Sequence, residues 1–502
     1  MGIKKYYATK DNTLANAFQN DLSTRGTGSN MGAADILETF VIHGQTTASL
    51  SIAPSLGNAT AAEQSRFIIQ FPMDTIQSDM SSGVLPTSTG SIKFHLNLYN
   101  APHGETTPED FTLDLCMVSQ SWTQGRGLDM DNYTDLGVSN WISCSLGTAW
   151  SNPGGSFHKG AGYSSSISFD TGLENISIDV SSQVYKWLDS TTNDGFLIKF
   201  PDSVVSGSST LYTKRFFSHT SEFYFYRPTL EARWDSARKD NRGNFLISSS
   251  IAPAGDNINT LYLYNMVRGQ LANIPGLKDH TLRLDVYSGS VAPTGTALNI
   301  VNPSGQAVSS VTGGLLIENG NAITGVYTAS FASTSSLSTV FDVWHTGSGV
   351  SRVEFKTGSY IPDEVGTTNL LYDTVYLTNI TNLDSEYAKG QKPRLRVFVR
   401  DKNWQPNIYT VASSVVETTV IEDAYYKVFR TIDNLDIIPF GTGSSNNNFS
   451  RLSYDVSGNY FELDTSCLEP GYSYGIQFAY YLQGDYRQQP ETFKFKIEEE
   501  DV

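Results

Sequence analysis

The stretch that decides the fold runs from Ile176 to Trp234. It reads ISIDVSSQVYKWLDS (176–190), then NDGFLIKF (193–200), then TKRFFSHTSEFYFYRPTLEARW (213–234). Val184, Trp187 and Leu188 recur at helical spacing, and Asp179 or Ser181 stands where an N-cap belongs. Gly195 then breaks the chain into an alternating strand. A second strand ends at the Arg227-Pro228 step, ahead of Leu230 and Trp234. The pattern is one short helix set among strands, as expected of an all-β module.

The rest of the chain agrees with that class. At 502 residues it is too long for one β-sandwich, so two to four domains are expected. Charged residues make up 17 % and aromatics 12 %, with much Ser, Thr, Asn and Gly. This suits sheets with a polar but largely uncharged surface, as on extracellular and virion proteins. A formal charge of −17 excludes the basic footprint that a nucleic-acid binder needs. No apolar run reaches the length of a membrane helix, and MGIKKYYATKDNTL lacks the apolar core of a secretory signal. Cys116, Cys144 and Cys467 are odd in number and lack metal-ligand spacing, so they read as thiols of a reducing compartment.

Period-two segments set out the domains. Phe67, Ile69 and Phe71 share one face of RFIIQF. In SIKFHLNLY, Ile92, Phe94, Leu96 and Leu98 oppose Lys93, His95 and Asn97. Helical spacing predicts only two short pieces, Leu14 to Leu22 and Ser182 to Asp189. ARKDNRGN (237–244) and PDEVGTTN (362–369) read as linkers. Between them lie NTLYLYNMV, TLRLDVYS, GVYTASF and TVFDVWHTG, short strands of immunoglobulin-like size. After them PRLRVFVRD alternates Leu395, Val397 and Val399 with Arg394, Arg396, Phe398 and Arg400. The expected architecture is all-β: a jelly-roll or β-sandwich over 1–236, then two immunoglobulin-like sandwiches over 245–362 and 368–502.

The first 235 residues resemble the DNRLRE-type domain, a jelly-roll module of surface proteins. Its order of Asp-Val-Ser/Thr, Val, Trp, Gly-hydrophobic, Phe-x-Ser and Arg-Pro-x-Leu is met by Asp179-Val180-Ser181, Val184, Trp187, Gly195-Phe196, Phe216/Phe217-Ser218 and Arg227-Pro228-Thr229-Leu230. The strands RFIIQF and SIKFHLNLY and the glycines Gly26, Gly28 and Gly32 follow the same family pattern. The family's Arg-Glu after the Ser is His219-Thr220 here. The resemblance implies a scaffold or binding module. The final unit, with KPRLRVFVRDKNWQPNIYT and SYDVSGNYFELD, is similar to structural proteins of large aquatic phages.

Each candidate site has a plainer reading beside it. GYSYG (471–475) matches a nucleophile elbow, which requires a following helix and a later His, and the last histidine is His345. Leu468-Glu469-Pro470-Gly471-Tyr472-Ser473-Tyr474 fits a tyrosine corner instead. Asp129, Asp131 and Asp135 alternate in a loop, as Ca²⁺ ligands do, but lack the glycine and distal Glu of an EF-hand. A solvated loop with no cofactor is the preferred reading. Trp122, Tyr133, Trp141 and Trp150 are either core packing or a platform for stacking a glycan. Arg394, Arg396 and Arg400 form a cationic stripe, either solvated or docked to an acidic partner. The seven histidines show no metal-binding pair.

The function expected from these features is non-enzymatic. The chain reads as a structural component of a tailed bacteriophage virion (neck or collar, tail appendage or head fibre), assembled in the host cytoplasm. It would dock to other virion proteins, as one copy of a homo-oligomer, with no nucleic acid and no membrane insertion. The alternative is a glycan-binding adhesin or receptor-binding module.

Overall fold

The computed structural model describes residues 2–19, 24–43, 63–88, 90–128, 137–207, 210–364, 375–404 and 418–498. The fold is all-β and built of sandwiches, with helix confined to short segments. Contacts group the chain into two compact units, Ile3–Arg233 and Trp234–Val502 with the first two residues. The two stretches expected as separate immunoglobulin-like sandwiches fall within the second unit.

In the first unit, Ile3–Tyr7, Thr229–Arg233, Lys93–Leu98 and Ile176–Asp179 form one antiparallel sheet. The other sheet runs Leu211–Phe217, Ile36–Ile42, Glu63–Gln70, Phe196–Lys199, Phe111–Met117, Ser164–Phe169, with Lys10–Asn16 also paired to Glu63–Gln70. Ile92, Phe94, Leu96 and Leu98 are fully buried, as the alternation predicts. Phe67, Ile68 and Ile69 are buried alike, so Glu63–Gln70 is covered on both faces.

The deciding stretch forms its expected helix, with Val180 rather than Asp179 or Ser181 at the N-cap. Its second strand, however, ends at Phe217, and a short helical turn, Tyr224–Tyr226, leads to the Arg227-Pro228 step and the strand Thr229–Arg233. Its helix spans Ser181–Asp189 and buries Val184 and Trp187, with the Trp187 ring 4.6 Å from Phe196. Asp179 Oδ1 accepts the backbone N–H of Ser181 at 2.8 Å, satisfying one donor of the first turn. Gly195 has φ of 92°, and a Cβ there would lie 2.2 Å from the Ile69 carbonyl oxygen. Only glycine fits.

One expected helix is absent. Leu14 and Phe18 have helical spacing, yet Lys10–Asn16 is a strand, and residues 20–22 lie outside the described residues. Partners distant in sequence decide this. Asn12 donates to the Ser139 carbonyl at 2.9 Å and accepts from Met31 N–H at 3.0 Å, while Asp11 accepts from His219 N–H at 2.7 Å. A local preference of tenths of a kcal/mol per residue does not outweigh such bonds. The helix Met73–Ser81, which the sequence did not announce, buries Met73 and Ile76.

The second unit holds two sets of strands. Asn259–Tyr264, Asn321–Phe331, Ser310–Glu318, Leu282–Ser288, Val340–Thr346 and Val353–Tyr360 pair in that order. Ser310–Glu318 joins Leu282–Ser288 with its first half and Asn321–Phe331 with its second. Leu261, Leu284, Tyr327, Phe331 and Trp344 fill the core between. Farther along, Tyr376–Ile380, Arg394–Asp401, Gly458–Glu462 and Ser453–Asp455 form a four-stranded sheet. Glu386–Tyr387, Phe493–Ile497, Ser473–Leu482, Ala424–Arg430 and Leu435–Ile438, with Asp485–Gln488, form the sheet after it. Leu395, Val397 and Val399 are buried, as their alternation predicts.

Candidate functional site

The segment read as a charged linker, 237–244, is held by backbone and side-chain bonds along its length. Its backbone pairs on two sides: Asp240 N–H donates to the Tyr454 carbonyl, and Asn241 N–H to the Thr260 carbonyl, both at 3.0 Å. Gly243 passes so close to Asp455 that a Cβ would lie 2.3 Å from its carbonyl oxygen. The two arginine side chains then reach into the first of the two sandwiches. Arg238 grips Glu318 with two parallel bonds of 2.5 and 2.6 Å. Arg242 donates to Asp342 at 2.7 and 3.2 Å and to Asp240 at 3.0 Å. Such forked pairs add geometric specificity to charge.

The sequence holds a signal for this network. In TVFDVWHTG, Val340, Asp342 and Trp344 share the inward face of one strand, and all three are buried. An aspartate with no accessible surface needs a partner. Arg242 supplies it, and Trp344 Nε1–H adds a bond of 2.8 Å to the same carboxylate. Burial pushes the Asp240 carboxyl up to about 6, and the Arg242 guanidinium beside it acts in the opposite direction.

The arginine stripe joins the same network. Arg396 pairs with Asp455 at 2.7 Å, and its guanidinium lies 4.8 Å from the Tyr460 ring centre. Arg394 lies over that ring as well, at 4.9 Å, opposite Glu462 in the ladder. The Tyr460 phenol is in turn linked to that of Tyr264 in the preceding sandwich. Arg400 stands apart, over the half-exposed Trp404 at 5.4 Å. All three arginines therefore lie over aromatic rings of their own chain, and Arg396 is ion-paired as well.

The tryptophan platform is corrected. Trp122, Trp141 and Trp150 are only 4–6 % exposed and form a core cluster with Leu14, Ile68, Val118, Cys144 and Leu197. Trp122 Nε1–H donates to the Asp194 carbonyl and Trp150 Nε1–H to that of Asn140, each at 2.8 Å. Rings committed in this way offer no face to a sugar. Tyr133 and the carboxylates Asp129, Asp131 and Asp135 lie outside the described residues. Among the described residues, no three His, Cys, Asp or Glu side chains gather as metal ligands. Nor, among them, is any helix long and apolar enough to cross a membrane.

The tyrosine corner forms as read. The Tyr474 hydroxyl donates to the Glu469 carbonyl at 2.8 Å and accepts the Glu469 N–H at 2.9 Å. A strand, Ser473–Leu482, follows where an elbow would need a helix. His345 meets Asp285 at 3.0 Å, and Arg352 meets the same carboxylate at 2.7 Å, with Ser310 opposite Asp285 in the ladder. Burial works to raise the Asp285 pKa, and bonds from His345, Ser310 and Arg352 outweigh it, holding it below the usual value. The carboxylate sits at the centre of this cluster. A nucleophile relay needs the imidazole there.

In the first unit, Glu231 is buried between Lys5 at 2.9 Å and Arg233 at 2.6 Å. Burial opposes its charge, but these two cations prevail and hold its carboxyl at about 2. His95, next to Glu231 in the ladder, is pushed down to about 4 by burial and by Arg233. Expected on an outward face, it is in fact buried. No protein-family model and no curated protein matches the chain.

Proposed function

We propose that the chain is a non-enzymatic structural component of a tailed bacteriophage virion, docked to other virion proteins. The observation that supports this reading is the ion-paired strap at 237–244. Arg238 and Arg242 tie it to Glu318 and Asp342 of one sandwich, while its backbone pairs with Tyr454 of the other. A flexible tether would let the two sandwiches move independently. This one ties the two sandwiches to each other by ion pairs and backbone bonds, which suits a spacer between docked partners. The resemblance of the first 235 residues to a surface jelly-roll module points the same way.

Docking is assigned to the stretch around Arg400, since Arg396 is engaged with Asp455. Arg400 lies beside Trp404 and, across the ladder, the half-exposed Leu377. Arginine beside exposed apolar and aromatic groups is the usual make-up of an interface anchor. The test is proteomics and cryo-EM of purified phage particles whose genome encodes the chain. The expected result is several copies on the particle exterior, with Arg400→Glu lowering incorporation while the free protein stays folded. Absence from purified particles overturns the virion assignment, and normal incorporation of Arg400→Glu moves the docking surface elsewhere.

A further inference from the structure

The last sheet presents an aromatic face that the proposed role leaves unused. Tyr481 and Tyr486 stand opposite each other in the ladder between Ser473–Leu482 and Asp485–Gln488, each 42 % exposed, with ring centres 4.8 Å apart. Tyr425, two strands from Tyr486, lies only 5.7 Å from its ring. The small side chain of Ala479 sits between, opposite Tyr425 on one side and Gln488 on the other. Tyr481 and Tyr486 thus form an exposed aromatic pair beside an alanine floor, and the buried Tyr425, 2 % exposed, props Tyr486 from behind.

Its rim is polar and electrically balanced. The Tyr425 hydroxyl donates to Asn448 Oδ1 at 3.0 Å, and Arg451 approaches that hydroxyl while pairing with Asp423 at 3.3 Å. Gln488, on the same face as Tyr486, donates to Gln477 at 3.0 Å. One carboxylate, Asp423, thus meets one guanidinium, Arg451, at that edge. Exposed rings place apolar area where a ligand can lie flat, and amides around them fix its orientation. A ligand suited to such a face has flat C–H surfaces, many hydroxyls and no net charge. Polyanions are disfavoured further by the chain's charge of −17.

We propose that the exposed Tyr481–Tyr486 pair is a binding site for a neutral saccharide, whose ring stacks on these two side chains and whose hydroxyls reach the Gln, Asn and Asp groups beside them. The site is independent of virion docking, so either proposal can fail without the other. The test presents the full-length chain to a panel of neutral di- to tetrasaccharides built from glucose, galactose, N-acetylglucosamine and rhamnose. Binding is read by array and by saturation-transfer NMR. At least one member is expected to bind, and Tyr481→Ala and Tyr486→Ala should each weaken it by about tenfold, as loss of an aromatic anchor does. The Phe variants keep the ring and should bind within about threefold, because stacking needs the ring and not the hydroxyl. Both rings are half-exposed, so circular dichroism and melting of the Ala variants should match the parent. No binding by any panel member at millimolar concentration overturns the proposal, as does binding that survives the Tyr481→Ala/Tyr486→Ala double change.

Discussion

The tyrosine corner at 468–474 and the strap at 237–244 perform the same task by different chemistry. Each fixes a stretch of chain that connects strands. The corner does so with one neutral phenol bonded to a backbone five residues away. The strap does so with one partly buried and one buried ion pair, whose partners lie 80 and 100 residues away. A neutral local lock has a modest net worth and little response to pH. An ionic lock is costly to form, and breaking half of it costs more than the whole was worth, because a charge is left buried.

The largest effect should therefore come from Arg242→Ala. It strands the fully buried Asp342 and removes the partner of Asp240. The expected loss is about 3–5 kcal/mol, the range for uncovering one member of a buried pair. Urea unfolding of the full chain measures it, read on the transition of the second unit. A loss under about 1 kcal/mol would mean that water reaches Asp342, and the contrast between the locks would collapse.

Tyr474→Phe comes next. It leaves Glu469 without its donor and its acceptor at the corner, for about 1–2 kcal/mol. Burial holds the Tyr474 phenol well above its ordinary value, so it stays protonated and this difference should not vary between neutral and mildly alkaline pH. A penalty that changes across that range would show that the corner is not a neutral lock.

How far each lock was legible follows from its range. The corner is written in seven consecutive residues, with Leu468, Pro470, Gly471 and Tyr474 at fixed offsets, so the sequence alone places it. The strands were legible for the same reason, since Leu395, Val397 and Val399 show their shared face by alternation. ARKDNRGN has the composition of a loop, and nothing local says that Arg242 will meet Asp342. Only the aspartate on the inward face of TVFDVWHTG gave a hint. Leu14 failed in the same direction, because bonds from Ser139, Met31 and His219 made a strand of helical spacing. Of the two readings open for Trp122, Trp141 and Trp150, the structure takes core packing, while Tyr481 and Tyr486, to which the sequence drew no attention, lie on a regular hairpin and are exposed. Exposure depends on which face of a sheet is covered, and that is a tertiary fact.

An effect of roughly 1.4 kcal/mol for each pH unit crossed separates the two buried carboxylates by sign. Asp240, raised to about 6, favours its neutral form in the fold, so its contribution is present below about pH 4 and is lost as pH rises through 6. Glu231, held at about 2, does the reverse: its contribution is present above about pH 4.5 and is lost as pH falls through 2. Asp240→Asn removes the titrating group and should accordingly flatten the decline in second-unit stability between about pH 4 and 6. Hydrogen exchange on strand amides of each unit reads the two slopes separately. Slopes of the same sign would show that Arg242 dominates the Asp240 environment and that the strap carboxyls are simply ionised.

The smallest expected effect tests the corner from its other side. Ser473 is exposed and begins the strand Ser473–Leu482, and its backbone carbonyl accepts from Thr431 N–H at 3.0 Å and from the Thr431 hydroxyl at 3.0 Å. Those bonds survive truncation of the side chain, so Ser473→Ala should shift stability by less than about 0.5 kcal/mol, as exposed substitutions usually do. The same residue stands at the centre of GYSYG, the one sequence match to a hydrolase nucleophile. A nucleophile there would need an imidazole within hydrogen-bond reach. His345, the last histidine, is instead 3.0 Å from Asp285 in the other sandwich of the unit. A fluorophosphonate probe should therefore leave Ser473 unlabelled. Labelling of Ser473 that disappears in Ser473→Ala would make the corner a catalytic turn, and the neutral lock would then have a chemical role that the ionic one lacks.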